Sequence, residues 1–328
     1  SVNDVMVFQL NLWSPADLTF IGIVITAYAL GLVHGITPDE HTWPITFSYA
    51  VGSGNTKGGM KAGLIFSSGF TIQRAVMSEI AYFALAGIFM SAAAFGITYV
   101  IVGISMFAAG AYIKRKDIYP HWHTLEHWLG GIFSIHKHDK SDEKEELMHK
   151  KNPIMHEGKG KNEELKPVPS KLAFLHGIVA GFGFGAFALI IYTVLSPEMG
   201  SAWLGWIPGA MFGLGTMTMQ IIFGAAFGKW LSKIKRLTKQ GIGFVSRTIS
   251  SDVLFYGGLA FAIAGASILL FPQILDYAIV TPIKVHNLHN LGIGFFIVIL
   301  VVVIIGFLSY RKAINKAAEL YSVKARSR

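Results

Sequence analysis

The chain alternates long apolar runs with short blocks of Lys and Arg, and this alternation decides what it can become. The apolar runs reach the roughly 20 residues that an α-helix needs to cross a bilayer. Only 14% of the residues are charged against 52% hydrophobic, where an ordinary soluble domain carries about 25% charged residues. That composition and that pattern exclude a soluble globular fold and a disordered one. The fold class expected is an all-α polytopic membrane protein.

Seven hydrophobic segments stand out, near residues 18–50, 59–90, 93–113, 171–196, 201–228, 250–271 and 288–309, the first two long and interrupted. Ser14-Pro15-Ala16-Asp17 reads as the opening of the first helix, with Ser at the N-cap, Pro at the first helical position and an acid at the third. The connections alternate between basic and nearly neutral: the loop around residues 114–171 holds twelve Lys and Arg, the fifth connection and the C-terminal tail six each, and the first loop two. The opposite side holds Lys284 alone, and Arg74 falls inside a span. By the positive-inside rule the N-terminus lies outside and the C-terminus in the cytoplasm, with the cell membrane as the expected location. The same rule accounts for the net charge of +9 without nucleic acid as a partner. Residues 1–17 lack a basic n-region, so no signal peptide is expected.

An internal repeat runs through the chain. Leu32-Val33-His34-Gly35-Ile36 recurs as Phe174-Leu175-His176-Gly177-Ile178. Phe66-Ser67-Ser68-Gly69-Phe70-Thr71-Ile72-Gln73 has a looser echo in Phe212-Gly213-Leu214-Gly215-Thr216 to Gln220. Gly103, Gly110, Ala111 and Ile113 return at the same spacing as Gly258, Gly265, Ala266 and Ile268. Each unit has three spans, an odd number, so the two units enter the membrane from opposite sides. This is the plan of many secondary transporters, with the site near the midplane where the repeats meet. The expected organisation is a first transmembrane repeat (1–113), a cytoplasmic His/Lys-rich loop (114–170), a second repeat (171–271), and a seventh span with a basic tail (272–328).

The sharpest local pattern is His34-Gly35-Ile36-Thr37-Pro38-Asp39-Glu40-His41-Thr42-Trp43-Pro44. Ionisable groups at membrane depth are costly and usually line a pathway or a site. Pro38 and Pro44 have no N–H, so the carbonyls of His34 and Glu40 lose their helical partners and become available as oxygen ligands. A broken polar helix is tolerated where it lines a cavity or is buried in protein. The other reading of residues 38–44 is an ordinary turn with Asp39 and Glu40 solvated. The chain has no cysteine, which excludes disulfides, thiolate metal sites, iron–sulfur clusters and thiol nucleophiles. Imidazole and carboxylate without thiolate suit Ni²⁺, Co²⁺, Zn²⁺, Mn²⁺ or Fe²⁺.

His34-Gly35, Pro38-Asp39, His41 and the Phe66–Thr71 stretch resemble the first-motif region of the nickel/cobalt transporter superfamily, including its efflux branch. Two positions depart from that pattern: Glu40 stands where the second histidine usually falls, and Phe70 replaces the histidine of the second motif. The resemblance implies a secondary transporter of divalent transition-metal cations, nickel or cobalt first and zinc, iron or manganese after them. His34, Asp39, His41 and His176 are then the ligands, with Glu40 as the register alternative.

Other polar residues fall around this core. Arg74 and Glu79 lie inside the second span, and Arg74 is expected to meet Asp39 or Glu40, or else to snorkel to an interface. Ser67, Ser68, Thr71, Gln73 and Gln220 line the path or join helices. In the long loop His121, His123 and His127 form a weak metal-binding tract beside many lysines, with a plain basic loop as the alternative. His286 and His289 precede the last span on the outer side, where they form an entry site or have no role in the path. No nucleotide-binding glycine loop is present within these residues, so the energy for transport is expected from an ion gradient or a partner ATPase; the chain is expected to be a transporter and no enzyme. Its partners are expected to be the bilayer, the metal, and further copies or other membrane subunits. Three alternatives stand beside metal transport: a different small ion on the same scaffold with Arg74 as counter-charge, a membrane subunit or assembly factor handing metal to a partner enzyme, and a membrane metalloenzyme.

Overall fold

The computed structural model describes residues 11–37, 42–83, 91–116, 170–183, 185–233, 237–286 and 288–321. The chain divides into two compact units, residues 1–119 with 167–328 and residues 120–166, and every described residue belongs to the first. Asp39, Glu40, His41 and the loop histidines His121, His123 and His127 lie outside the described residues.

The described unit is almost wholly helical. Helix α1 (Phe20–Ile36) is followed by α2 (Trp43–Gly52), α3 (Thr56–Tyr82) and α4 (Ala92–Lys116). Then come α5 (Ser170–Ala180), the short α6 (Ala186–Ile190) that widens into a π-turn over Ile191–Leu195, α7 (Trp206–Ser232) and α8 (Lys239–Leu270). A two-stranded antiparallel hairpin pairs Ile279–Val280 with Asn290–Leu291. The last helix runs as α9 (Ile293–Val298), a π stretch (Ile299–Ile305) and α10 (Gly306–Tyr321).

Helices end where the local chemistry stops them. The first begins later than Ser14-Pro15-Ala16-Asp17 suggested. Asn11 takes the N–H groups of Trp13 and Ser14 in a turn, and Asp17 sits at φ 53°, in the left-handed region. Thr19 is the cap instead, its hydroxyl accepting the N–H of Gly22 at 3.2 Å. At the other end Thr37 is extended, ψ 140°, as the residue before a proline tends to be. Pro44 sits in the first turn of α2, where a missing N–H is harmless. Asn55 caps α3 by accepting the Gly58 N–H at 2.8 Å. Helix α8 starts eleven residues ahead of the apolar run near 250–271, because Thr238 caps it, accepting from Gly241 at 3.2 Å, and Val245 and Ile249 continue a buried face through the polar segment.

Four helical segments are long and apolar enough to cross a membrane: Ala92–Ala111, Trp206–Trp230, Gln240–Leu270 and Ile293–Glu319. Shorter apolar helices cover Phe20–Ile36, Lys171–Ala180 and Ala186–Met199. The protein is an integral membrane protein. Ile72, Ile101, Ile104, Ile222, Ile263 and Val303 are among the large apolar side chains left exposed, the belt that lipid covers.

Helix α3 packs along α7 and α4 along α8, while α1 lies on α7 and α5 on α3. Both long pairs close on glycine. A side chain at Gly63 would strike the backbone of Gln220, and one at Gly209 the backbone of Arg74. One at Gly103 would strike Ala262, at Gly258 Phe107, at Gly110 Phe255 and at Gly265 Val100. Small residues let helix backbones approach where lipid supplies no hydrophobic drive. Two buried clusters fill the remaining space. One gathers Tyr49, Tyr99, Met106, Val253 and Phe261, the other Leu30, Phe70, Met77, Phe187 and Phe212.

Candidate functional site

The second cluster surrounds an arginine. Arg74, on α3, is 2% exposed. Its Nη1 donates to the Tyr192 hydroxyl at 2.9 Å and its Nη2 to the Gly183 carbonyl at 2.7 Å. Its guanidinium carbon lies 4.8 Å from the centre of the Phe70 ring, 5.6 Å from Phe212 and 5.9 Å from Tyr192. Aromatic faces hold a cation through their quadrupole. Among the described residues no carboxylate pairs with Arg74, and its Nε has no hydrogen-bond partner. The expected pairing with Asp39 or Glu40 rests on residues outside those described.

The site owes its shape to an interruption. Between α5 and α6 the sequence carries three glycines in five residues, and Gly181-Phe182-Gly183 and Gly185 lie outside the helices. Gly181 lies so close to Gln73 that a Cβ there would overlap the amide. Gln73 and Arg74, neighbours on α3, therefore both face this break. The Gln73 amide nitrogen and oxygen are buried without hydrogen-bond partners among the described residues. On the other flank of the break a cavity of about 300 Å³ borders Gly185, Ala186 and Leu189.

The two repeat-related histidines go to different interfaces. His34 ends α1 among aromatic rings, 5.0 Å from Phe212, 5.5 Å from Phe187 and 5.8 Å from Phe70 between centroids. His176, on α5, takes the Tyr49 hydroxyl at 2.7 Å on Nδ1 and also hydrogen-bonds the backbone of Ser105. Its polar edge is thus spent on α2 and α4. Among the described residues no three His, Asp or Glu side chains converge as metal ligands.

The remaining polar residues divide by what they touch. Ser68 and Thr71 return their hydroxyls to their own helix, at the carbonyls of Leu64 and Ser67. Ser67 is fully buried, and Glu79 packs against Gly205. Gln220 reaches across to the Gly35 carbonyl at 3.4 Å. His286 stacks on Trp13 at 4.4 Å, with His289 edge-on to the same indole at 5.1 Å.

Two features went unread in the sequence. Tyr192 gave no signal, since a tyrosine in an apolar run is unremarked. The other was legible: Asp252 is an acid inside the span near 250–271. It pairs with Lys114 at 2.6 Å and accepts from the Ser309 hydroxyl at 2.7 Å, tying α4, α8 and α10 together.

Residues 95–251, from the start of α4 to the middle of α8, match the family described as the cytochrome C biogenesis protein transmembrane region. The matched part is just under half of the chain. No curated protein and no solved structure matches it. The match overturns the resemblance to the nickel/cobalt transporter superfamily. The residues that suggested that resemblance, from His34 to Thr71, precede the matched segment. The structure also gives Phe70 to the aromatic wall around Arg74 and His34, where that family carries a histidine. What the chain is similar to in sequence is a transmembrane region from a biogenesis system.

Proposed function

We propose that the chain is a membrane carrier subunit that moves a small ion, built as a 3+3 inverted repeat of six spans plus a seventh helix. The reciprocal glycine contacts carry this reading. Gly103 meets Ala262 as Gly258 meets Phe107, and Gly110 meets Phe255 as Gly265 meets Val100. Each partner maps onto the other by one constant shift of 155 positions along the chain, as a two-fold relation between α4 and α8 requires. A second shift, 146 positions, relates the Gly63–Gln220 and Gly209–Arg74 contacts between α3 and α7. Inverted repeats with an interrupted helix at their interface are the common frame of secondary carriers. The extended Thr37 after α1 and the non-helical Gly181–Gly183 after α5 supply the interruptions. The basic connections support an N-terminus outside and a C-terminus inside.

The work is done without thiols, since the chain has no cysteine and disulfide exchange needs a thiolate. The same absence gives a clean background for the test. Thr71→Cys lies between α3 and α7, one turn from Arg74. In oriented vesicles an impermeant thiol reagent should reach it from both faces. Labelling from one face alone, or from neither, overturns alternating access. The family match favours a second reading, a membrane subunit of an assembly system that holds a partner rather than moving an ion. One-sided labelling together with a stably co-purifying partner supports that reading instead.

A further inference from the structure

Arg74 has an unfinished shell. Its two terminal nitrogens are engaged by Tyr192 and Gly183. Nε keeps a donor with no partner. A buried guanidinium with an idle donor is expensive, because desolvation of the charge is repaid only by a complete set of partners. Gln73 adds an idle amide, turned to Gly181. Neither residue is nearer the surface than 5% exposure.

We propose that Arg74, Gln73 and the Gly181–Gly183 turn together form a binding site for a planar, singly charged oxyanion of the carboxylate type. The idle Nε–H and the idle Gln73 amide N–H each offer a donor to an oxygen of such an anion. One positive charge with no carboxylate pair among the described residues calls for one negative charge, and a dianion leaves one in excess. Phe70, Phe212 and Tyr192 close around the guanidinium and limit the ligand to a few atoms. The Gln73 amide hydrogen-bonds a ligand oxygen, and its present lack of partners follows from that role. The glycine at 181 keeps a side chain off the Gln73 amide. Gln220 stands at the position related to Arg74 by the α3/α7 shift, so the charge belongs to one half of the repeat and the site is single.

This proposal names the cargo class of the carrier reading and rests on it for function, but binding is measured without flux. The full chain, purified in detergent, is titrated calorimetrically with sodium formate and with sodium nitrate, each against a sodium chloride background. Saturable binding of at least one of the two is expected, with sulfate at least tenfold weaker. Preference for formate assigns the site to organic carboxylates, and preference for nitrate to inorganic oxyanions. Arg74→Lys, which keeps the charge and loses the fork, should weaken binding at least tenfold; Arg74→Gln should abolish it; Gln73→Leu should weaken it severalfold. Absence of saturable binding to the wild-type protein overturns the site whatever the variants do, and so does binding that Arg74→Lys leaves unchanged. Arg74-dependent binding without formate or nitrate flux into proteoliposomes keeps the site and overturns the carrier. Two-sided labelling of Thr71→Cys without anion binding does the reverse.

Discussion

At the scale of single residues, burial sets a demand and neighbours meet it or do not. His176 is met: Tyr49 and the Ser105 backbone occupy its ring. Tyr49→Phe removes one partner and leaves a buried imidazole nitrogen bare, which costs about 1–3 kcal/mol. The denaturation midpoint of the purified protein should fall accordingly, and an unchanged midpoint means that the bond contributes nothing. Asp252 is met by Lys114 and Ser309. Asp252→Asn removes the partner of an ammonium that is partly exposed and also lies over the Phe255 and Tyr256 rings, and should destabilise by about 1 kcal/mol. Lys114→Met with Asp252→Asn removes both charges and should recover part of that loss; a double variant as poor as the sum of its singles refutes the coupling. The sequence showed that His34 and His176 occupy equivalent positions, and equivalence suggested one shared ion. It did not show what packs against each. Tyr49 comes from α2, and the Phe70, Phe187 and Phe212 rings come from three other elements, so equal positions acquired unequal surroundings.

At the scale of elements, close helix contact is the main structural device. Gly63 and Gly209 sit where α3 and α7 nearly touch. Gly63→Val and Gly209→Val should each prevent the pair from closing and sharply lower the yield of folded protein. Gly200, where an added Cβ would meet nothing within 4 Å but φ is 68°, should instead cost only about 1 kcal/mol as alanine, through backbone strain. Size-exclusion profiles of the three variants separate the cases, and equal profiles would deny the special role of the contact. The helices themselves were largely legible, because apolar length and proline position act locally. Their ends were less so. The α8 start at Lys239 depends on the Thr238 cap and on Val245 and Ile249 facing inward, and an average of hydropathy hides both. The break at Gly181–Gly185 was readable as three glycines in five residues, but its partner Gln73 was not, because nothing along the chain links positions 73 and 181.

At the scale of the whole molecule, the basic connections predict one orientation. Lys140→Cys should be labelled only after the membrane is opened, and labelling in intact cells reverses the assignment. The bundle then holds a fixed positive charge, Arg74, with no fixed negative charge beside it among the described residues. A charge within a membrane feels the voltage across it, by about 2.3 kcal/mol per 100 mV for a full crossing. Any rearrangement that changes the depth of Arg74 is therefore an electrical event, while an occupied site carries no net charge and moves unnoticed by the field. The protein should give capacitive transients on a supported membrane when empty, and these should shrink as formate or nitrate fills it. Voltage would then set how often the empty protein turns, and leave the loaded one to turn by heat alone.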